Sequence, residues 1–275
     1  MTTTGIEIQT IQHPLAFRLL RVRGARWLTP RMVRVTLEGA ALAGFRSEGA
    51  DDGSRLFFPA DPGDGSWAPI VEGTKLIFPE DQPAPPGREY TPRRYDPEAG
   101  ELDFDFVVHG DGPASAWAAN AAPGHLLGVS GPRRSRVVAG DVDWYLLAGD
   151  ETSLPAIARR LEELPAGMRA VAVIEVADAR EEQPIERGSA AELELIWLHR
   201  AAAGADLSEL LAGAIRRLEF PRGKVFAWGA GEASSMRQLR RHLLSERGLP
   251  PEQARVTGYW KRAIANYDHH QPLEG

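Results

Sequence analysis

Residues 144–176 read WYLLAGDETSLPAIARRLEELPAGMRAVAVIEV, and the succession of textures in that stretch decides the fold of the second half of the chain. Trp144–Ala148 and Ala170–Val176 are apolar runs of strand length. Between them Leu154, Ile157, Ala158, Leu161 and Leu164 recur at the spacing that puts them on one stripe of a helix. Working outward, further apolar runs stand at Leu193–Leu198 and Val225–Trp228. A helical stripe of Leu207, Leu210, Leu211, Ala214, Ile215 and Leu218 lies between these two, opened by Asp206 with Glu209 three residues on, and a third helix carries Met236, Leu239 and Leu243. Strands that are apolar throughout suit a parallel sheet covered on both faces. Strand and helix alternating at this spacing predict a doubly wound parallel-sheet α/β domain, with its ligand crevice at the carboxyl ends of the strands.

Upstream of Asp141 the texture is different. Val33, Val35 and Leu37 alternate with Arg34 and Thr36, and Leu102, Phe104, Phe106 and Val108 alternate with Asp103 and Asp105, the period of half-buried antiparallel strands. The Gly/Pro/Asp-rich stretches Gly49–Gly65 and Pro83–Gly87 read as loops. The expected organisation is an N-terminal antiparallel β-barrel over residues 15–138, the α/β domain over 139–265, and a mobile tail over 266–275. In the tail, Asn266, Tyr267, Asp268, His269 and His270 invite a metal reading, but adjacent residues do not close readily around one ion, so no metal site is expected there.

A chain of 275 residues with 43% hydrophobic content can give each of two domains its own core. Its 32 Lys+Arg against 38 Asp+Glu leave a net charge of −6, which offers no long-range attraction to nucleic acid. Met1–Arg18 has no unbroken apolar core of a signal segment, and no stretch approaches the roughly 20 apolar residues of a membrane span, so a cytoplasmic location without membrane insertion is expected. With no cysteine, disulfides, iron–sulfur clusters and thiolate chemistry are unavailable, and redox chemistry would require an organic cofactor.

Two segments carry groups suited to an anionic, aromatic ligand. In Arg88-Glu89-Tyr90-Thr91-Pro92-Arg93, a strand would put Arg88 and Tyr90 on one face and Thr91 on the other. A guanidinium can hold a diphosphate through two parallel hydrogen bonds, and a phenol ring can lie against a flat heterocycle. The other reading of this segment is a solvated Arg/Tyr strand near a turn. In His109-Gly110-Asp111-Gly112-Pro113-Ala114-Ser115-Ala116-Trp117, Pro113 suits a first helical position, and small residues leave backbone N–H groups open to an anion, with the Ser115 hydroxyl beside them. Alone, this is also an ordinary strand-to-helix turn.

These two segments, the Gly131-Pro132 turn, Ala148-Gly149-Asp150-Glu151-Thr152-Ser153-Leu154-Pro155-Ala156-Ile157 and Trp228-Gly229-Ala230-Gly231-Glu232 resemble, in order, the siderophore-interacting protein family of the ferredoxin reductase-like superfamily, which comprises FAD-dependent ferric-siderophore reductases. The resemblance runs from about Phe17 to Trp260. It implies that Arg88, Tyr90 and Thr91 hold FAD, that His109 sits beside its isoalloxazine, and that Gly112, Ala114 and Ser115 bind its diphosphate, while Arg93 matches the motif without a defined role. Asp150, Glu151, Thr152, Gly229, Gly231 and Glu232 then belong to the nicotinamide side, although no Gly-x-Gly-x-x-Gly fingerprint is present. Lys261 and Arg262 inherit the attraction of an anionic ferric siderophore, and Ala263 stands where relatives often carry Gly two residues after the lysine.

The function implied is transfer of electrons from NAD(P)H through FAD to a ferric siderophore, releasing Fe(II). No acid–base pair or nucleophile is expected, because the cofactors carry the chemistry. A general flavin or quinone reductase would keep the cofactor segments without needing Lys261, and a noncatalytic siderophore carrier would bind the ferric complex without reducing it and would not need the FAD segments. A reduced ferredoxin is the alternative donor. Arg180, after the second strand, either meets a 2′-phosphate or is a solvated loop charge.

Overall fold

The computed structural model describes residues 5–110, 112–185, 192–202, 207–264, 267, 268 and 273. Asp111, the expected helix cap Asp206, and Asn266, His269 and His270 of the expected tail lie outside them. The chain divides into one unit of Thr10–Val137 and another of Met1–Gln9 with Val138–Gly275.

In chain order the first eleven strands are β1 (Glu7–Gln12), β2 (Phe17–Thr29), β3 (Met32–Glu38), β4 (Ser54–Phe57), β5 (Ile70–Glu72), β6 (Lys75–Ile77), β7 (Gly87–Tyr90), β8 (Pro92–Asp96), β9 (Glu101–Val107), β10 (Leu126–Ser130) and β11 (Arg134–Ala139), with helix α1 (Pro113–Ala119) after β9. Seven of these strands form one antiparallel sheet in the order β7-β4-β10-β2-β3-β9-β8, while β5 pairs with β6 and β1 with β11. The sheet's two edge strands, β7 and β8, are separated in the chain by Thr91 alone. One intervening residue spans roughly 7 Å, so the sheet must curl until its edges meet at Thr91. The alternation read from the sequence sorts the two faces: Leu20, Val22, Val33, Val35, Leu37, Leu56, Leu102, Phe104, Phe106, Leu127 and Val129 fill the inside. Each such side chain removed from water contributes roughly 1.5–3 kcal/mol.

The expected loop Gly49–Gly65 needs correction. It contains β4, which pairs on one side with β7 and on the other with β10. The flanking Asp and Gly residues hid a strand of only four residues, whose apolar Leu56 and Phe57 are too few to show a period.

The second unit holds β12 (Trp144–Asp150), α2 (Leu154–Glu163), β13 (Arg169–Val176), β14 (Glu192–His199), α3 (Leu210–Arg216), β15 (Val225–Glu232), α4 (Ala233–Arg241) and β16 (Ala254–Trp260). The five strands are parallel in the order β14-β13-β12-β15-β16, a doubly wound sheet as the 144–176 stretch predicts. Its order reverses between β12 and β15. The fifth strand, β16, is an edge strand with mostly half-buried residues, which is why ARVTGYW lacks the apolar texture of the other four. The helix expected from Leu207 opens instead as a 3₁₀ turn over Leu207–Glu209 and becomes α-helical at Leu210, a common way for a helix to start. Among the described residues no helix is long and apolar enough to cross a membrane.

Candidate functional site

In the antiparallel unit the two sequence segments converge. Arg88 lies opposite Leu56 and Tyr90 opposite Ser54 across the β4–β7 pair, so both side chains emerge on the face of the buried Leu56. The Tyr90 ring lies 4.6 Å from that of Phe106 near the end of β9, and Phe106 lies 6.0 Å from Trp117 of α1. Thus one aromatic chain joins the strand seam to the helix that follows β9. Burial pushes the Tyr90 phenol well above its ordinary range, the nearby Arg88 charge only opposing this, so the ring is neutral. Arg88 is half-buried and its Nη1 donates to the Gly87 carbonyl at 2.9 Å. Thr91 and Arg93 are buried.

Helix α1 starts as expected, with Pro113 in its first turn and Gly112 as N-cap. Glycine brings no side chain to the amides of Ala114 and Ser115, and a Cβ placed on Gly112 would meet nothing within 4 Å. The Ser115 hydroxyl turns back: it accepts from the His109 amide at 3.1 Å and donates to the Val107 carbonyl at 3.4 Å. Ser115 therefore offers an incoming anion its backbone amide, while its side chain pins the turn. His109 is exposed, its Nδ1 3.1 Å from the Val107 carbonyl. Near this cluster, Ser54 Oγ and Trp117 Nε1 are buried and have no hydrogen-bond partner among the described residues. A half-buried guanidinium, uncapped first-turn amides and an aromatic face suit a molecule with an anionic end and a flat heterocyclic end. That is the donor set a flavin dinucleotide requires.

The parallel unit groups its expected residues differently. Asp150, at the carboxyl end of β12, is buried, and Thr152 and Glu232 reach it. Its Oδ1 accepts from the Thr152 amide at 2.9 Å and hydroxyl at 2.5 Å; its Oδ2 accepts from the Glu232 amide at 2.9 Å and from Trp260 Nε1 at 2.8 Å. Burial raises the Asp150 carboxyl pKa, and the Thr152 hydroxyl bond pulls the other way. Glu232 caps α4, its Oε2 accepting from the amides of Ser234 at 2.7 Å and Ser235 at 3.1 Å, and its Oε1 accepts from the Arg262 amide at 3.3 Å. A Cβ on Gly231, whose φ is 154°, would lie 2.6 Å from Asp150 Oδ2, and one on Gly229 would lie 2.8 Å from Leu239. These glycines make room for a carboxylate and for a helix. Lys261 is half-buried and Arg262 exposed just past β16, and Ala263 adopts a φ of 62°. That left-handed conformation is the one a glycine would take without cost.

Glu151 is ion-paired with Arg200, which also reaches Glu175 at 3.3 Å. Burial pushes the Glu175 carboxyl up to about 7; Arg200 opposes this, and Asp150 and Glu151 add to it. Neither Arg200 nor Glu175 stood out in the motifs. The available signal was a lone carboxylate inside the apolar run 170–176, since a strand buried on both faces does not carry a charge without a partner. Arg180 is exposed and paired with Asp178, its Nη2 donating to Oδ2 at 2.8 Å.

Residues 21–136 match the profile described as siderophore-interacting FAD-binding domain, and residues 142–263 the one described as siderophore-interacting protein. Ferric vibriobactin reductase ViuB of Vibrio cholerae is 34% identical over 257 residues, 92% of this chain and 93% of that protein. This chain belongs to the siderophore-interacting protein family. Another relative, the NADPH-dependent ferric-chelate reductase of Escherichia coli K12, is 34% identical over 94% of this chain and 99% of its own. Among solved structures, a siderophore utilization protein from T. fusca is 44% identical with a TM-score of 0.86, covering 96% of this chain and all of that one. The ferredoxin reductase of carbazole 1,9a-dioxygenase, at 16% identity and a TM-score of 0.56, shares the fold. In a siderophore-interacting protein the Arg88–Thr91 seam and the Gly112–Ser115 turn fall within the FAD-binding profile, and Asp150, Glu232 and Lys261 within the other.

Proposed function

We propose that this protein is a flavin-dependent reductase that passes electrons from NAD(P)H through noncovalently bound FAD to a ferric siderophore and releases Fe(II) in the cytoplasm. The observation that carries the reading is the convergence of the Arg88–Thr91 seam and the α1 start around Tyr90, Phe106 and Trp117. Arg88 and the amides of Ala114 and Ser115 hold the diphosphate, with Gly112 keeping the approach clear. Tyr90 lies along the ring system, Thr91 meets its edge, and His109 stands beside it. Bound FAD supplies the exchange between a two-electron donor and a one-electron acceptor. The chain contributes orientation and exclusion of water, with no side chain required as acid, base or nucleophile.

In the parallel unit, the carboxyl ends of β12 and β15 form the switch point at which such sheets bind nucleotides, and Asp150, Glu151, Thr152, Gly229, Gly231 and Glu232 build the walls of the donor site. Lys261 and Arg262 attract an anionic ferric complex against the net charge of −6. Release follows from ligand preference, since hard oxygen donors hold Fe(II) less firmly than Fe(III).

Anaerobic stopped-flow mixing of the FAD-loaded protein with NADPH, NADH or a reduced ferredoxin, then with a ferric chelate, tests the reading. Flavin absorbance should bleach with a nicotinamide donor and return with the chelate. Bleaching without return would leave a flavin reductase with another acceptor, and bleaching by ferredoxin alone would replace the donor. Lys261→Ala should raise the KM for an anionic ferric chelate several-fold while leaving bleaching unchanged.

A further inference from the structure

Arg93 belongs to the Arg88–Arg93 motif, yet it faces away from the groups assigned to the cofactor. Between the opposed pairs Pro92–Phe104 and Arg94–Asp103, β8 carries one residue more than β9, and that residue is Arg93. A regular strand would turn Arg93 and Arg94 to opposite faces. The bulge instead brings both to the outer face, where Asp103 and Asp105 stand two residues apart on β9. Arg94 Nε donates to Asp103 at 2.7 Å, and Arg93 Nε lies 3.8 Å from Asp105 Oδ2. Asp105 is itself held from the other side, because Arg34, directly opposite on β3, donates to its two oxygens from Nε at 2.7 Å and Nη2 at 2.8 Å. The Arg93 side chain is only 10% exposed, whereas a guanidinium serving a diphosphate must keep its donors open.

The residues flanking Asp105 in sequence, Phe104 and Phe106, point inward, and Phe106 is the ring against Tyr90. The clamp thus fixes, from outside the sheet, the strand that supports the flavin-facing phenol, and through Arg93 it fixes the strand that begins one residue after Thr91. We propose that Asp105, pinned by Arg34, acts through Arg93 as a positioning residue: it locks the β8 bulge and so sets the geometry of the Tyr90–Thr91 seam around the isoalloxazine. The proposal rests on the FAD reading of that seam.

A double-mutant cycle separates the clamp from direct contact. FAD binding is titrated to wild type, Asp105→Asn, Arg93→Ala and the double variant, and the visible circular dichroism of the bound flavin is recorded for each. Each single change should weaken FAD binding about tenfold and alter the flavin dichroism in the same way, and the double variant should bind no more weakly than the worse single. Additive losses, or a loss confined to Arg93→Ala while Asp105→Asn binds FAD with the wild-type spectrum, would overturn the proposal and make Arg93 a direct ligand. Should Asp105→Asn fail to fold, Arg34→Lys keeps a charge beside Asp105 but loses the fork; a wild-type flavin spectrum in that variant would overturn the proposal equally. Failure of the wild type to take up FAD would be a separate result, sinking the reading of the seam and the clamp with it.

Discussion

The helix start at Gly112–Ser115 and the Gly/Asp-rich ends of β12 and β15 look alike as sequence, but the structure uses them in opposite ways. At the first, a Cβ on Gly112 has nothing within 4 Å, and the first-turn amides have no cap from that residue. At the second, every lone pair that Asp150 can readily use is taken by Thr152, Glu232 and Trp260, and Gly231 has no room to spare. One is an open cradle, and the other is a closed knot that ties β12, β15 and β16 together. The lesson is that glycine beside polar residues marks close approach, and only the surroundings show whether a ligand or the protein itself does the approaching.

The sharpest way to break this contrast is to add the same methyl group to both. Gly231→Ala forces a Cβ against a carboxylate that four donors hold in place, at a φ alanine rarely adopts, so a loss of about 3 kcal/mol or more is expected in thermal or denaturant unfolding. Gly112→Ala should cost less than about 0.5 kcal/mol of stability while reducing FAD affinity, because the new methyl occupies the approach to the amides. Equal behaviour of the two variants would erase the distinction.

The neighbouring Glu175–Arg200 pair has a pH signature. Glu175 has a carboxyl raised from 4.5 to about 7, so the folded state binds more protons than the unfolded state between those values. Its contribution to stability is therefore fully present below pH 4.5 and is lost as the pH rises through 7, a change on the order of 3 kcal/mol. Glu175→Gln should flatten the stability profile across that window, and an unchanged slope would remove Glu175 from the account.

On the cradle side, Arg88→Ala should raise the FAD dissociation constant roughly tenfold to a hundredfold, the effect of losing a charge-assisted hydrogen bond of about 1.5–3 kcal/mol, with little change in apoprotein stability. Equal FAD retention after dialysis would deny Arg88 a place on the diphosphate. The smallest effect belongs to the turn after β16. Ala263→Gly relieves a left-handed alanine and should stabilise the protein by about 1 kcal/mol, read as a rise in Tm of a few degrees.

Much of this was legible in the chain. The alternation at 33–37 and 102–108 marked an antiparallel sheet, and the 144–176 stretch marked the parallel one, because burial on one face or two imposes a period on the sequence itself. Both segments proposed to hold the flavin stood out as candidates by their residue types, and it was the family resemblance that assigned them to FAD. β4 was not legible, because four residues between Asp- and Gly-rich flanks carry no period. Nor were Arg200 and Glu175, whose partnership joins residues 25 apart through the carboxyl edge of a sheet.

By itself, then, the sequence determined the two fold classes, the family and the segments proposed to carry the chemistry, since each depends on residues close together in the chain. Tertiary structure alone decided which of those residues are open. It brought Tyr90 to Phe106 and Trp117, gave both Asp150 oxygens to protein donors, and turned Arg93 onto Asp105 through a one-residue bulge. The physical reason is that a hydrogen-bonding group is free or spent according to neighbours tens of residues away, and strand register and sheet curl, which no local pattern records, choose those neighbours.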